Sequence, residues 1–244
     1  MIARRLALVG AASFATMAAL RVCDPMLPRL AGEFGIGSGR AGHTVSAFAA
    51  AYGIALLGYG PLADRCGKFA VVAFATLGCA VAALACALAP SFDTLVAARA
   101  LSGAAAAGVT PPAMAWIGDS VPYERRQAVL ARLIGATTLG MIAGQTLGGV
   151  LADTLGWRSA FVLLAVLFAG TGALMGAELR RGGDAGAQRQ ARGGAAARSP
   201  SSIGALRQLL LMPWPRRILL FAFVEGLSVF AGLAFLPSHL HATF

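Results

Sequence analysis

Lysine occurs once in 244 residues, at Lys68, and histidine three times. The lone lysine lies in a polar loop between apolar runs. That excludes a retinal pigment, whose Schiff base needs a lysine inside a membrane helix. His43, His239 and His241 fall at the edges of apolar runs, and no Gly-x-Ser-x-Gly is present. An intramembrane hydrolase needs a buried nucleophile with a base, and the chain offers neither. His239-Leu240-His241 supplies two ligands without a third, so no metal is assigned. Cys23, Cys66, Cys79 and Cys86 show neither metal nor disulfide spacing and read as small apolar filler. No catalytic set and no cofactor site is left to assign. Charge is scarce too: 12% of residues are charged, against about 25% in a soluble domain.

Apolar residues dominate instead, at 58% of the chain, with a mean hydropathy of +0.74. The class is an all-α membrane protein, with the lipid bilayer as its surroundings. The net charge of +10 raises nucleic acid as a partner. The arginines, however, sit in short clusters between runs of membrane length, so no nucleic acid is assigned. A spanning helix needs about 20 apolar residues. Six such runs cover residues 6–27, 44–62, 69–89, 94–117, 129–152 and 160–177. The first follows Arg4 and Arg5 as a signal peptide would, but it exceeds an h-region, lacks a cleavage site and carries Arg21 and Asp24. Pro111-Pro112 predicts a kink in the fourth. Residues 178–202, rich in Arg, Gly, Ala and Ser, read as a flexible linker. Residues 203–212 read as a short amphipathic helix, and 218–236 as a seventh span. The domains are then a six-helix bundle over 1–177, a basic cytoplasmic linker over 178–216, and a seventh transmembrane helix with a short outer tail over 217–244.

With the N-terminus inside, 15 of the 20 basic residues face the cytoplasm, while Arg29, Arg40 and Arg158 face out and Arg21 and Arg99 lie within the membrane. The excess of positive charge inside sets the N-terminus cytoplasmic and the C-terminus outside, in a bacterial inner membrane. Gly60-Pro61-Leu62-Ala63-Asp64-Arg65-Cys66-Gly67 and Gly149-Val150-Leu151-Ala152-Asp153-Thr154-Leu155-Gly156 share the frame Gly-x-Leu-Ala-Asp-x-x-Gly. One follows the second span and the other the fifth, so they fall on opposite faces. Two three-helix units of opposite orientation, a 3+3 inverted repeat, are the logic of secondary transporters.

Gly60 to Lys68 resembles the loop between helices two and three of the major facilitator superfamily, Gly-x-Leu-Ala-Asp-Arg-x-Gly-Arg-Lys. Arg99-Ala100-Leu101-Ser102-Gly103 resembles its fourth-helix motif. Gly140, Gly144, Gly148 and Gly149 resemble its fifth-helix antiporter motif, with Gln145 where the family has proline. Asp24 resembles the acidic residue near the end of helix one in drug/proton antiporters. The resemblance implies secondary active transport of a small molecule by alternating access, as proton-coupled efflux. The family has two six-helix bundles. This chain is truncated relative to that twelve-helix fold, with the first bundle and one further helix. Its partners are then a small-molecule substrate, protons and a missing second half-bundle; the alternative is a non-functional or partner-dependent fragment.

Within that frame the intramembrane charges are the candidate site, because an unpaired charge in lipid is costly. Arg21 and Asp24 share a helix face, and Asp24 and Arg99 lie at matching depths, so a contact between them is expected. Asp24 would carry the proton, with Arg99 favouring its ionised form. The plain reading is that the arginines snorkel to the surface with Asp24 as a static partner. Glu225 in the seventh span is a second protonatable candidate, or a carboxyl kept neutral by its surroundings. Asp119, with Asp64 and Arg65 in the loop of Gly60, Gly67 and Lys68, would latch the inner gate, or is a solvated loop charge. Gly140, Gly144 and Gly148 fall on one helix face, for rocking or for tight packing.

Overall fold

The structure is a computed structural model that describes residues 2–181 and, discontinuously, 211–214, 216–218, 220–221 and 223–226. In lipid, backbone N–H and C=O groups must be satisfied within the segment, and the helix does so. The elements are α1 (Ile2–Arg21), a 3-10 turn (Asp24–Met26), α2 (Leu27–Phe34), α3 (Ser38–Ala41), α4 (His43–Cys66), α5 (Lys68–Ala87), α6 (Phe92–Ala106), α7 (Thr110–Ser120), α8 (Tyr123–Thr154) and α9 (Trp157–Arg181). No strand occurs among the described residues. Five helical stretches are long and apolar enough to cross a membrane: Ile2–Phe34, Ser38–Cys66, Lys68–Ala87, Tyr123–Thr154 and Trp157–Arg181.

The fourth expected span is divided rather than kinked. Its α6 and α7 meet at residues 107–109, and neither half is long enough alone. Proline lacks the N–H that continues a helix but fits a first turn, and Pro111-Pro112 sits in the first turn of α7. The first expected span is also interrupted. It stops as regular helix at Arg21, and Pro25 and Pro28 restart it as the 3-10 turn and α2. At the other end, α9 runs to Arg181, past the boundary expected at 177. Glu178, expected in the linker, is a buried helical residue whose carboxylate meets Arg4 at 2.8 Å. The linker and the amphipathic stretch at 203–212 lie almost wholly outside the described residues, as does most of the seventh span.

The glycines that close the two sequence repeats adopt the same unusual backbone. Gly67 joins α4 to α5 with φ 90°, and Gly156 joins α8 to α9 with φ 84°, a region that side-chain-bearing residues rarely enter.

Residues 1–192 form one compact unit. The most extensive packing is α1 on α8, α4 on α6, and α5 on α9. Exchanging the first three expected spans with the last three leaves this pattern unchanged: the α1–α8 pair maps onto α6–α4, and α5–α9 onto itself. The ends of the helices are identified by their ion pairs. Arg4–Glu178 and Lys68–Asp119 mark one end, and Arg29–Asp153, Arg40–Asp93 and Arg158–Glu33 mark the other. Gly60 therefore lies at the Arg4 end and Gly149 at the Glu33 end. The second unit spans residues 193–244; its Glu225 is helical and exposed.

Candidate functional site

Arg99 is buried in the first unit, with 1% of its surface exposed. Its Nε donates to the Thr44 carbonyl at 3.2 Å and its Nη1 to the Ala19 carbonyl at 2.9 Å. The guanidinium lies 4.3 Å from the centroid of the Phe48 ring. These contacts explain how the charge is tolerated. Ala19 sits in the last turn of α1, where carbonyls lack helical partners, and an aromatic face attracts a cation. One nitrogen, Nη2, has no hydrogen-bond partner among the described residues. Arg99 also lines a small cavity of about 10 Å³, walled by Cys79, Ser102, Phe161 and Phe168. The cavity admits a water molecule rather than an organic substrate. On its rim Ser102 Oγ donates to the Ala98 carbonyl at 3.0 Å and lies 3.7 Å from Cys86 Sγ.

Asp24 pairs with Arg21, not with Arg99. Arg21 Nη1 donates to Asp24 Oδ2 at 3.0 Å, with 13% and 26% of the side chains exposed. The expected Asp24–Arg99 ion pair is absent among the described residues. The break after Arg21 accounts for this. Once α1 ends, the turn at Asp24–Met26 brings Asp24 back onto the last residue of the helix it has left.

The loop expected from Gly60 to Lys68 is helical except at Gly67: Asp64 and Arg65 lie in the last turn of α4 and Lys68 opens α5, and their pairing differs from expectation too. Asp119 is held by Lys68 Nζ, while Asp64 and Arg65 are exposed and form no ion pair among the described residues. Phe69, next to Lys68, packs on Trp116 with centroids 5.3 Å apart. Arg5 places its guanidinium 4.9 Å from the Phe69 ring centroid. Gly60 has open space where a Cβ would be.

On α8, Gly140, Gly144 and Gly148 face the backbone of α1. A Cβ there would lie 2.2, 2.3 and 2.5 Å from the carbonyl oxygens of Phe14, Ala18 and Val22. A Cβ on Gly149 would lie 3.4 Å from Pro25 Cβ, an ordinary contact, and Gln145 is exposed. Gly103 on α6 faces α4 in the same way: a Cβ there would lie 2.1 Å from the Phe48 carbonyl oxygen. Both close-packed pairs are thus held by glycine against backbone. Sequence reasoning found the α8 glycines and passed over Glu33, Trp157 and Arg158. The signal that would have found Trp157 and Arg158 is their place beside Gly156, in the frame that sets Lys68 and Phe69 beside Gly67; no such signal marked Glu33.

A family model described as Major Facilitator Superfamily matches residues 9–244. The chain belongs to this superfamily. It is an integral membrane protein of a transporter family. The uncharacterized MFS-type transporter YceJ of Bacillus subtilis (strain 168) is 29% identical over 224 residues, covering 91% of this chain and 54% of that protein. The inner membrane transport protein YnfM of Escherichia coli (strain K12) is 29% identical over 164 residues, 67% of this chain and 39% of the relative. The multidrug resistance protein Stp of Mycobacterium tuberculosis (strain CDC 1551 / Oshkosh) is 31% identical over 148 residues, 57% of this chain and 26% of the relative. A crystal structure of the peptide transporter POT in complex with sulfate shares the fold with a TM-score of 0.66 and 19% identity, over 85% of this chain and 46% of that one. The chain spans about half or less of the length of these proteins.

Proposed function

We propose that this chain forms the first bundle of a secondary transporter that moves a small molecule by alternating access. In this reading residues 2–181 are six spans, with α6 and α7 together making the fourth. They form two three-helix units related by a two-fold axis in the membrane plane, with the N-terminus cytoplasmic. The observation that carries the reading is the packing pattern, which survives exchange of the two halves. An inverted repeat of this kind lets one set of contacts serve two opposite-facing states. A second bundle completes the path, which agrees with a chain spanning about half of its relatives and with a buried cavity of only water size.

Proton coupling is assigned to Asp24, and export is its direction. The names of the resistance proteins among the relatives support export. Desolvation favours a neutral carboxyl, and a nearby guanidinium favours the ionised one. A helix shift that parts Asp24 from Arg21 therefore draws in a proton, and one that rejoins them expels it. Arg99, held by backbone carbonyls, stays fixed and keeps a positive potential near the path. Linkage makes the effect reciprocal, so substrate that changes the separation changes the proton. The test uses proteoliposomes holding a pH-sensitive dye, a panel of small drug-like compounds and an imposed pH gradient. The wild type shows compound-dependent proton flux, and Asp24→Asn abolishes it while sparing compound binding. Undiminished flux in Asp24→Asn refutes the assignment.

A further inference from the structure

The two copies of Gly-x-Leu-Ala-Asp-x-x-Gly share more than a backbone turn. After the first, Lys68 pairs with Asp119 near the end of α7 and Phe69 packs on Trp116. After the second, Arg158 Nη1 meets Glu33 Oε1 at 2.6 Å, near the end of α2, and Trp157 packs on Phe34 with centroids 6.0 Å apart. In each copy a cation and an aromatic ring follow the positive-φ glycine. Each pair grips an acid and a ring at the end of a helix from the other three-helix unit. The order of cation and ring is exchanged between copies, so the correspondence shows in the contacts and not in the aligned letters.

The second grip has further bonds. Trp157 Nε1 donates to Glu33 Oε2 at 2.6 Å, and Arg158 Nη2 donates to the Ala89 carbonyl at 3.3 Å. The Arg158 guanidinium lies 4.3 Å from the Trp157 ring centroid. Beside it Arg29 Nη2 meets Asp153 Oδ1 at 3.0 Å. Asp153 is the frame counterpart of Asp64, which is exposed and makes no ion pair among the described residues.

We infer that Glu33, Trp157 and Arg158 form a second gating latch, at the opposite membrane face from Lys68 and Asp119. The inference rests on the alternating-access reading, in which each face needs its own closure. The charges suit that task. Glu33 and Arg158 are 42% and 44% exposed in their side chains, so their pairing is weak enough to break and remake. Two buried thiols lie near this end of the bundle. Cys23 and Cys86, which lie at this end of α1 and α5, are both 0% exposed. Glu33, Trp157 and Arg158 are positioning residues, acting through the helix ends they join.

The native thiols report the latch. In the full chain reconstituted in proteoliposomes, maleimide labelling is followed separately at Cys23, Cys79 and Cys86. Arg158→Gln raises the rates at Cys23 and Cys86 about two- to fivefold and leaves Cys79, deep within α5, protected. Arg158→Lys, which keeps the cation, restores the wild-type rates. Raising salt to about 1 M, which screens exposed pairs, speeds labelling at Cys23 and Cys86 in the wild type and not in Arg158→Gln. The wild-type half of the salt arm requires no variant, and absence of a salt effect there also overturns the inference. Unchanged rates at Cys23 and Cys86 overturn the inference, and so does a common rise at all three thiols, which marks general unfolding. Labelling uses no substrate. Loss of the latch signal with coupled transport intact therefore overturns the latch alone, whereas absent transport bears on the broader reading.

Discussion

Adding one methyl group to α8 should have opposite effects at Gly135 and Gly144, two helical glycines that the sequence alone would treat alike. Gly144 meets α1 backbone to backbone: a Cβ there would lie 2.3 Å from the Ala18 oxygen and 2.7 Å from its Cα, where ordinary contact begins at 3.4 Å. Neither neighbour is a flexible side chain, so α1 and α8 must part by about 1 Å at that rung, in an interior that is otherwise close-packed. Overpacking of this kind costs about 1–3 kcal/mol. Replacing a helical glycine by alanine returns about 0.5–1 kcal/mol. Because the clashing atoms are backbone, the upper part of the overpacking range, about 2–3 kcal/mol, applies, and Gly144→Ala should destabilise the bundle by about 1–2.5 kcal/mol. Gly135, on the same helix, has nothing within 4 Å of a built Cβ, so Gly135→Ala should be neutral or mildly stabilising. The assay is reversible unfolding in detergent, followed by circular dichroism, for both variants beside the wild type. A neutral Gly144→Ala would refute the backbone contact between α1 and α8, and equal losses in both variants would refute the account of why the glycines differ.

Arg99→Met should raise the unfolding midpoint and abolish transport. An apolar side chain of similar length removes a buried cation that has no carboxylate partner among the described residues, and such replacements are neutral or stabilising by about 1–4 kcal/mol. Loss of folded protein in Arg99→Met would show that the bonds to Thr44 and Ala19 outweigh the desolvation. Lys68→Gln and Asp119→Asn, alone and together, should give a coupling of about 0.2–1 kcal/mol in unfolding free energy, the range of exposed pairs; zero coupling would remove the pair from the first latch.

Much of the fold was legible because lipid imposes length. The apolar runs, the basic clusters and the glycines at 140, 144 and 148 each follow from a one-dimensional rule, and the structure places those glycines on one face against α1. The helix breaks were half legible. Pro111-Pro112 announced an interruption, but whether a proline pair bends a helix or divides it depends on the packing around it. Pairing was not legible. Asp24 stands three residues from Arg21 and at the depth of Arg99, and both partners were open until the end of α1 turned the carboxylate toward Arg21. The grip of Lys68 on Asp119, the burial of Glu178 against Arg4, and the bond from Trp157 to Glu33 all join residues far apart in sequence. Their side chains read locally as ordinary surface charges and interfacial rings. The repeat frame carried only part of that information: it sets Trp157 and Arg158 in the place of Lys68 and Phe69 and names none of their partners.

The inverted repeat is the central claim, and its most direct measurement uses the repeat itself. Cys66 and Leu155 occupy the same place in the two copies, one residue before the positive-φ glycine. Cys66 is exposed, the other three cysteines are buried, and Leu155 is 73% exposed. A membrane-impermeant maleimide is applied to right-side-out and to inside-out vesicles bearing either the wild type or Leu155→Cys in a Cys66→Ser background. The account predicts that Cys66 is labelled only from the cytoplasmic face and the Leu155→Cys variant only from the opposite face. Labelling of both positions from the same face would contradict it.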